Sequence, residues 1–446
     1  MSSTADQTDE TTSQATRASH DDVQRTLEAV WRMEAAKVTA VVARVVGDVG
    51  LAEDLAQDAF VQALEQWPRD GIPTKPGAWL TATARRRAID RIRRDVNLAS
   101  KLQQVGHMEE LRMADLAEGD FDAALEDIDD DVLGLIFAAC HPALTAQARI
   151  SLTLRMIGGL TTREIARAFL TTETTIGQRI SRAKRTLSQD GVTVEVPSGA
   201  DLAPRLASVL EVVYLVFNEG YAATSGRDWV RGDLMEEAIR LGRVLAALAP
   251  REAEVHGLLA LMEIQASRTR ARIGRDGEPV LLLDQDRTTW DWALIRHALA
   301  ALDRALDLAA SPGVDGTPPP GPGPYLLQAA IAACHARART PGDTDWAQMV
   351  GLYEQLAALR PSPVIDLNRA VALSYASGPE AALAVVDGLV ADGALADYHL
   401  LPSVRGDLLL RVGREDEARA EFARAADMAQ NEAERALLQR RAVGQG

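Results

Sequence analysis

Cysteine is scarce in this chain of 446 residues. Cys140 and Cys334 stand far apart with no C-x-x-C spacing, which excludes a disulfide framework or a zinc knuckle and reads as a cytoplasmic location. Each lies in an Ala-Ala-Cys-His run, 138–141 and 332–335. Adjacent side chains on a helix point about 100° apart, so a two-Cys, two-His metal site is not expected. Aromatic residues make up only 4% while Ala, Leu and Arg are abundant, which favours an all-α protein over a sheet. Long apolar runs are missing too. The most apolar stretch, "LASVLEVVYLVF" at 206–217, is short and interrupted by Glu211, so no membrane span is expected. The chain has no phosphate-binding glycine loop, no H-E-x-x-H and no G-x-S-x-G, and His141, His256, His297, His335 and His399 are scattered. No catalytic residue, metal or cofactor is therefore expected. The opening "MSSTADQTDETTSQATRASH" lacks an apolar core, so residues 1–20 read as a disordered tail rather than a signal peptide.

What is present is charge, and it is segregated. The formal net charge is -16, yet "TATARRRAIDRIRR" at 81–94 packs six arginines against Asp90 alone. A second basic stretch, 149–187, holds eight Arg or Lys against Glu164 and Glu173. Between them 109–131 holds eleven Asp or Glu against Arg112. Phosphate neutralisation depends on the local patch, so the chain total hides two basic modules separated by an acidic linker. Helical stepping from Leu80 puts Ala84, Ala88, Ile89 and Ile92 on one arc and Arg86, Arg87, Arg91, Arg93 and Arg94 opposite. Arg85 falls on the apolar side, where pairing with a carboxylate is expected. An exposed stripe so rich in arginine calls for an anionic partner.

The second basic module reads as two short helices around a tight turn, "GLTTREIARAFLTTETTIGQRISRAKRTL" at 159–187. Thr161 or Thr162 caps the first helix, and Thr171 or Thr172 the second. On the second helix Ile176, Ile180, Ala183 and Leu187 share one side, with Thr174, Gln178, Arg182 and Arg185 opposite. Arg, Gln and Thr are the side chains that read base edges and grip phosphates, and the second helix of such a pair is the one that enters the major groove.

Two basic helical modules joined by an acidic linker resemble, over residues 22–190, bacterial sigma factors of the extracytoplasmic-function type. "AEDLAQDAFVQALEQW" at 52–67 is similar to their core-polymerase-binding helix, matching at Asp54, Leu55, Gln57, Asp58 and Phe60. "WLTATARRRAIDRIRR" at 79–94 resembles the helix that follows the −10 specificity loop. The resemblance implies −10 contacts from Trp79, Arg86, Arg87, Arg91, Arg93 and Arg94. Residues 172–185 resemble the −35 recognition helix and imply contacts from Thr174, Thr175, Gln178, Arg179, Arg182 and Arg185. Gly177 and Thr172 depart from the family, which often has a basic or polar residue and a proline there. The resemblance implies RNA polymerase core and promoter DNA as partners. It also divides the chain into region 2 at 21–97, a linker at 98–130 and region 4 at 131–191.

Residues 197–446 lie beyond a minimal factor of this type. They read as further helices. "NRAVALSYASGPEAALAVVDGL" at 368 and "SVRGDLLLRVGREDEARAEFARA" at 403 each join two helices through a glycine, Gly378 and Gly413, at close to the tetratricopeptide period. The runs at 235 and 346 are weaker members, and "SPGVDGTPPPGPGP" at 311–324 reads as a mobile interruption. This layout resembles a group of such sigma factors with a C-terminal tetratricopeptide-like extension, in which "VYLVFNEGYAATSG" at 213–226 looks like a signature. Asn218, Glu219 and Tyr221 either line a site for a protein or small ligand or satisfy backbone groups at a turn. The extension is expected to regulate the sigma module in cis. The competing readings are a helix-turn-helix regulator outside polymerase, which leaves 52–67 without a role, and a helical scaffold that binds RNA or acidic proteins.

Overall fold

A computed structural model describes residues 5–101, 128–169, 171–221, 232–274, 280–312, 318–429 and 432–444, with the backbone alone for 5–25, 95–101, 128–129 and 433. Among them the regular elements are helices and no strand is present, the all-α class expected from the composition. None of these helices is long and apolar enough to cross a membrane. Two units divide the chain, Met1–Val213 and Tyr214–Gly446.

The first unit opens with α1 (Ala5–Val46), α2 (Val49–Asp70) and α3 (Pro76–Lys101) around one core that includes Leu27, Val38, Val42, Trp67, Leu80 and Ala84. The polar stretch expected as a tail is instead continuous with α1 from Ala5. Once the packed part of a helix is nucleated, each added residue costs little, and the polar N-terminus offers no breaker. Asp48 starts α2 by accepting the Leu51 N–H at 2.7 Å, and Pro76 sets the first turn of α3. Most of the acidic linker, 102–127, lies outside the described residues.

The chain continues as α4 (Ile128–Ala139), α5 (Ala146–Met156), α6 (Thr162–Ala168) and α7 (Glu173–Gln189). These helices pack on the first three, so the two basic modules share one unit. Arg44 pairs with Asp131 at 3.3 Å, and Val194, beyond α7, returns to the first core.

Helix α8 (Leu202–Tyr221) crosses the division between the two units, and its first half belongs to the first. The last carbonyls of a helix need partners from elsewhere. At the end of α4, Arg205 donates to the Phe137 carbonyl at 3.0 Å and Ser208 to the Cys140 carbonyl at 2.6 Å. Arg149 on α5 holds the other side of α8 through Glu211 at 3.0 Å. The Cys140 thiol is buried 3.3 Å from the Thr153 hydroxyl.

The second unit runs through α9 (Gly232–Leu248), α10 (Ala253–Ala266), α11 (Trp292–Ala310), α12 (Pro324–Arg337), α13 (Trp346–Leu359), α14 (Pro363–Ala376), α15 (Pro379–Ala391), α16 (Leu400–Arg411), α17 (Glu415–Met428) and α18 (Glu432–Ala442). Gly378 at φ +101° and Gly413 at φ +81° form the two expected hairpin turns. Arg405 on α16 bridges Asp387 on α15 at 2.8 Å and Glu421 on α17 at 2.7 Å. Arg411 crosses to Ser374, donating to its hydroxyl at 2.7 Å and its carbonyl at 2.9 Å. Gly323 has no side chain to cap α12. Glu254 from α10 does so instead, accepting the Tyr325 and Leu326 N–H groups at 2.9 and 3.0 Å. The interrupting loop lies partly outside the described residues, at 313–317.

Candidate nucleic-acid interface

The helix-turn-helix forms because its sequence supplies a cap at each helix start and a glycine ahead of the first helix. Gly159, at φ +67°, turns the chain into α6. Thr161 caps α6 in a reciprocal box with Glu164: its hydroxyl accepts the Glu164 N–H at 3.1 Å, and the carboxylate accepts the Thr161 N–H at 2.8 Å. Burial alone would raise the Glu164 carboxyl. The Thr161 N–H, the Thr161 hydroxyl and the Arg32 guanidinium outweigh it and hold the carboxyl below its usual value. Thr172 caps α7 by accepting the Thr175 N–H at 3.1 Å.

Helix α7 is divided as its periodicity predicts. Ile176, Ile180, Ala183 and Leu187 are buried, and Thr174, Gln178, Arg182 and Arg185 are exposed together on the other side. Thr175 and Arg179 stand apart from that face. The Thr175 hydroxyl is 2.8 Å from that of Thr172, and Arg179 donates to the Gln147 amide at 3.2 Å, so both are half-buried in the local structure. Gly177 is not demanded by packing, since a Cβ built there would meet nothing within 4 Å.

On α3, Leu80, Ala84 and Ala88 are fully buried, while Arg86, Arg91, Arg93 and Arg94 are exposed. Arg87 is half-buried, because Asp58 at 3.2 Å and Gln62 at 3.0 Å draw it onto α2. Asp90 therefore is not the stripe's sole relief. Trp79 packs edge-on against Trp67 with ring centroids 5.5 Å apart, so its ring belongs to the core of this unit. On α2, Leu55 is buried and Phe60 packs on Trp31 at 4.8 Å, whereas Asp54 and Asp58 are exposed and Gln57 is half-exposed.

Periodicity did not disclose one cluster. Lys184 on the far flank of α7 bonds to Glu53 and, at 2.8 Å, to Asp54; Glu53 also accepts from Arg155 on α5 at 2.9 Å. Burial alone would lower the Lys184 ammonium, but the two carboxylates outweigh it and raise it above its usual value. Asp54, Gln57 and Asp58 line a concavity of about 540 Å³ together with Gly177, Ser181 and Lys184. The only sequence signal was Glu53 flanking the buried positions Ala52 and Ala56.

In the second unit the signature residues gather around cationic side chains. Arg268 donates to the Tyr221 hydroxyl at 3.1 Å, and the Arg272 guanidinium lies 3.8 Å over the Tyr221 ring. Asn218 hydrogen-bonds Tyr214, whose hydroxyl burial pushes up. Residues 222–226 of the signature lie outside the described residues.

Comparison with known proteins bears on these faces. The family models for sigma-70 region 2 and sigma-70 region 4 match residues 23–97 and 135–187, and a family of unknown function, DUF6596, matches 205–306. An uncharacterized protein of Rhizobium meliloti is 44% identical over 88% of this chain and 89% of its own length. The ECF RNA polymerase sigma factor SigK of Mycobacterium ulcerans is 31% identical over 34% of this chain and 78% of its own length. The probable ECF RNA polymerase sigma factor SigI of Mycobacterium tuberculosis is 27% identical over 38% of this chain and 57% of its own length. No solved structure matches the chain.

Proposed function

The chain belongs to the extracytoplasmic-function family of sigma-70 factors, which direct promoter-specific transcription by RNA polymerase, and from that premise we propose how its residues divide the work. The outward side chains of α2, Asp54, Gln57 and Asp58, meet core polymerase, with Leu55 and Phe60 fixing the helix beneath them. Arg86, Arg91, Arg93 and Arg94 on α3 hold the phosphates around the −10 element. Thr174, Gln178, Arg182 and Arg185 on α7 enter the major groove at −35. Trp79, Arg87, Thr175 and Arg179 support these faces from the packed side. The place of work in this reading is the cytoplasm.

The observation that carries the reading is the exposed face of α7. Four polar or basic side chains stand opposite four buried apolar ones, on the second helix of a capped helix-turn-helix. Engagement of both elements requires the first unit to open. Sites roughly 25 base pairs apart lie about 85 Å apart along B-DNA at 3.4 Å per pair, whereas α2 and α7 touch through Lys184. The 26 residues of 102–127 can span about 90 Å when extended, enough to connect separated modules.

The extension regulates this module in cis. Run-off transcription on genomic fragments with purified core polymerase tests the whole reading. Discrete new transcripts from the full chain are expected. Their absence, together with failure to co-migrate with core polymerase, would sink it.

A further inference from the structure

A cavity of about 670 Å³ in the second unit is bounded by α10, α12, α13 and the start of α14. Its volume falls within the range of about 300–1,000 Å³ usual for small-molecule sites. In a chain with 64 acidic residues, no Asp or Glu stands among its described lining residues. The charged side chains on its wall are Arg268 and the exposed Arg360. Leu261, Ile331 and Leu356 supply an apolar surface, and the amides of Gln265, Gln328 and Asn368 supply donors and acceptors.

The guanidinium groups near it face no carboxylate on the lining. The Arg268 Nε is buried on a lining residue without a hydrogen-bond partner among the described residues, as is the His335 Nδ1, which donates or accepts according to its tautomer. Behind them Arg287, 5% exposed, donates through Nη1 to the carbonyls of His335 and Ala338 at 3.0 and 2.6 Å, leaving Nε and Nη2 without partners. Burial first, then Arg268 and Arg287, lower the His335 imidazole to about 4, so it adds no charge near neutral pH. Ser362 and Val364, in the first turn of α14, also line the wall and bring the positive end of that helix dipole to the cavity. An anion with an apolar body would match a wall that joins two guanidinium groups and amide donors to apolar side chains and carries no carboxylate.

We propose that this cavity binds a small organic anion, its head group held by Arg268, Arg360 and the start of α14 and its apolar body against Leu261, Ile331 and Leu356. Tyr221 and Asn218 act as positioning residues, the first through Arg268 and the second through Tyr214. Of the two purposes open to the signature stretch, this gives its helical part, within α8, the ligand-binding one.

The test uses the full chain and the fluorescent probe 8-anilinonaphthalene-1-sulfonate, an apolar anion. Saturable binding at one site is expected, with decanoate displacing the probe far better than inorganic phosphate. Arg268→Gln and Arg360→Glu should each weaken binding about tenfold or more, while Arg360→Lys retains it. Because Arg360 is exposed, its variants leave the packing intact and keep the test decisive if Arg268→Gln unfolds. Non-saturable binding, equal binding by Arg360→Glu, or displacement by phosphate as good as by decanoate would each overturn the proposal. The assay needs neither polymerase nor promoter, so its failure leaves the transcription reading standing.

Discussion

Lys184 stands 2.8 Å from Asp54, so the helix proposed to read DNA is tied to the helix proposed to meet polymerase. Beneath that contact lies Glu53, at 5% side-chain exposure, shared by Lys184 and Arg155. Replacing Glu53 by Gln removes the charge that both cations need, and breaking a buried pair in this way costs about 3–5 kcal/mol. Urea unfolding of Glu53→Gln should show a loss of that size, whereas Lys184→Met, which leaves Glu53 with Arg155, should lose clearly less. Equal losses would mean that Arg155 contributes nothing to holding Glu53.

Gly177→Ala should stabilise the chain by about 1 kcal/mol, the helix-propensity difference, because its methyl group meets nothing within 4 Å. The position lines the side of α7 toward α2, not the face with Gln178 and Arg182, so affinity for a −35 duplex should be unchanged. A large fall in affinity with raised stability would place Gly177 against DNA.

Arg182→Ala and Arg185→Ala should each weaken binding to a −35 duplex and lower the salt slope by about one. Arg87→Ala should barely change the slope, because that guanidinium is occupied by Asp58 and Gln62. Its cost should appear in thermal unfolding.

His335 gives the second unit a pH-dependent stability. Its imidazole lies at about 4 when folded against 6.5 when free, so the fold favours the neutral form. Stability is therefore complete above about 6.5 and is lost as pH falls from there toward 4, by up to about 3 kcal/mol. Denaturant midpoints of His335→Gln across that window should be flatter than those of the natural chain.

Chain ends chosen for truncation should behave differently. A chain ending at residue 191 removes Arg205 and Ser208 and leaves the Phe137 and Cys140 carbonyls open, each lost bond costing about 1 kcal/mol. One ending at Val213 keeps both. The shorter chain should melt earlier by circular dichroism, and the longer one is the fair comparison for asking whether the extension activates or restrains transcription.

Local pattern carried much of this in advance. The alternation of Ile176, Ile180, Ala183 and Leu187 with Thr174, Gln178, Arg182 and Arg185 fixes two faces of α7 without reference to any other helix. Gly378 and Gly413 likewise mark turns by their own conformational freedom. What periodicity cannot express is which element a face will meet. Lys184 reads as one more exposed cation, yet its partners lie 130 and 131 residues away on α2. Trp79 and Arg87 read as ligands for DNA because Trp67, Asp58 and Gln62 belong to a different helix. The cavity is equally remote from local pattern, since Arg268, His335 and Arg360, at or beyond the ends of α10, α12 and α13, meet only when those helices stack.

Both native thiols are buried, Cys140 at 1% and Cys334 at 4% exposure, and burial raises each to about 11. At neutral pH the reactive thiolate is then about a hundredfold rarer than on a free cysteine, for a rise from 9.0 to about 11. A maleimide dye should leave the folded chain almost untouched. Glu65→Cys on α2 and Ser188→Cys on α7, both exposed positions, can therefore be labelled in the natural background. Energy transfer between them would report the separation of α2 from α7 in real time, as polymerase is added.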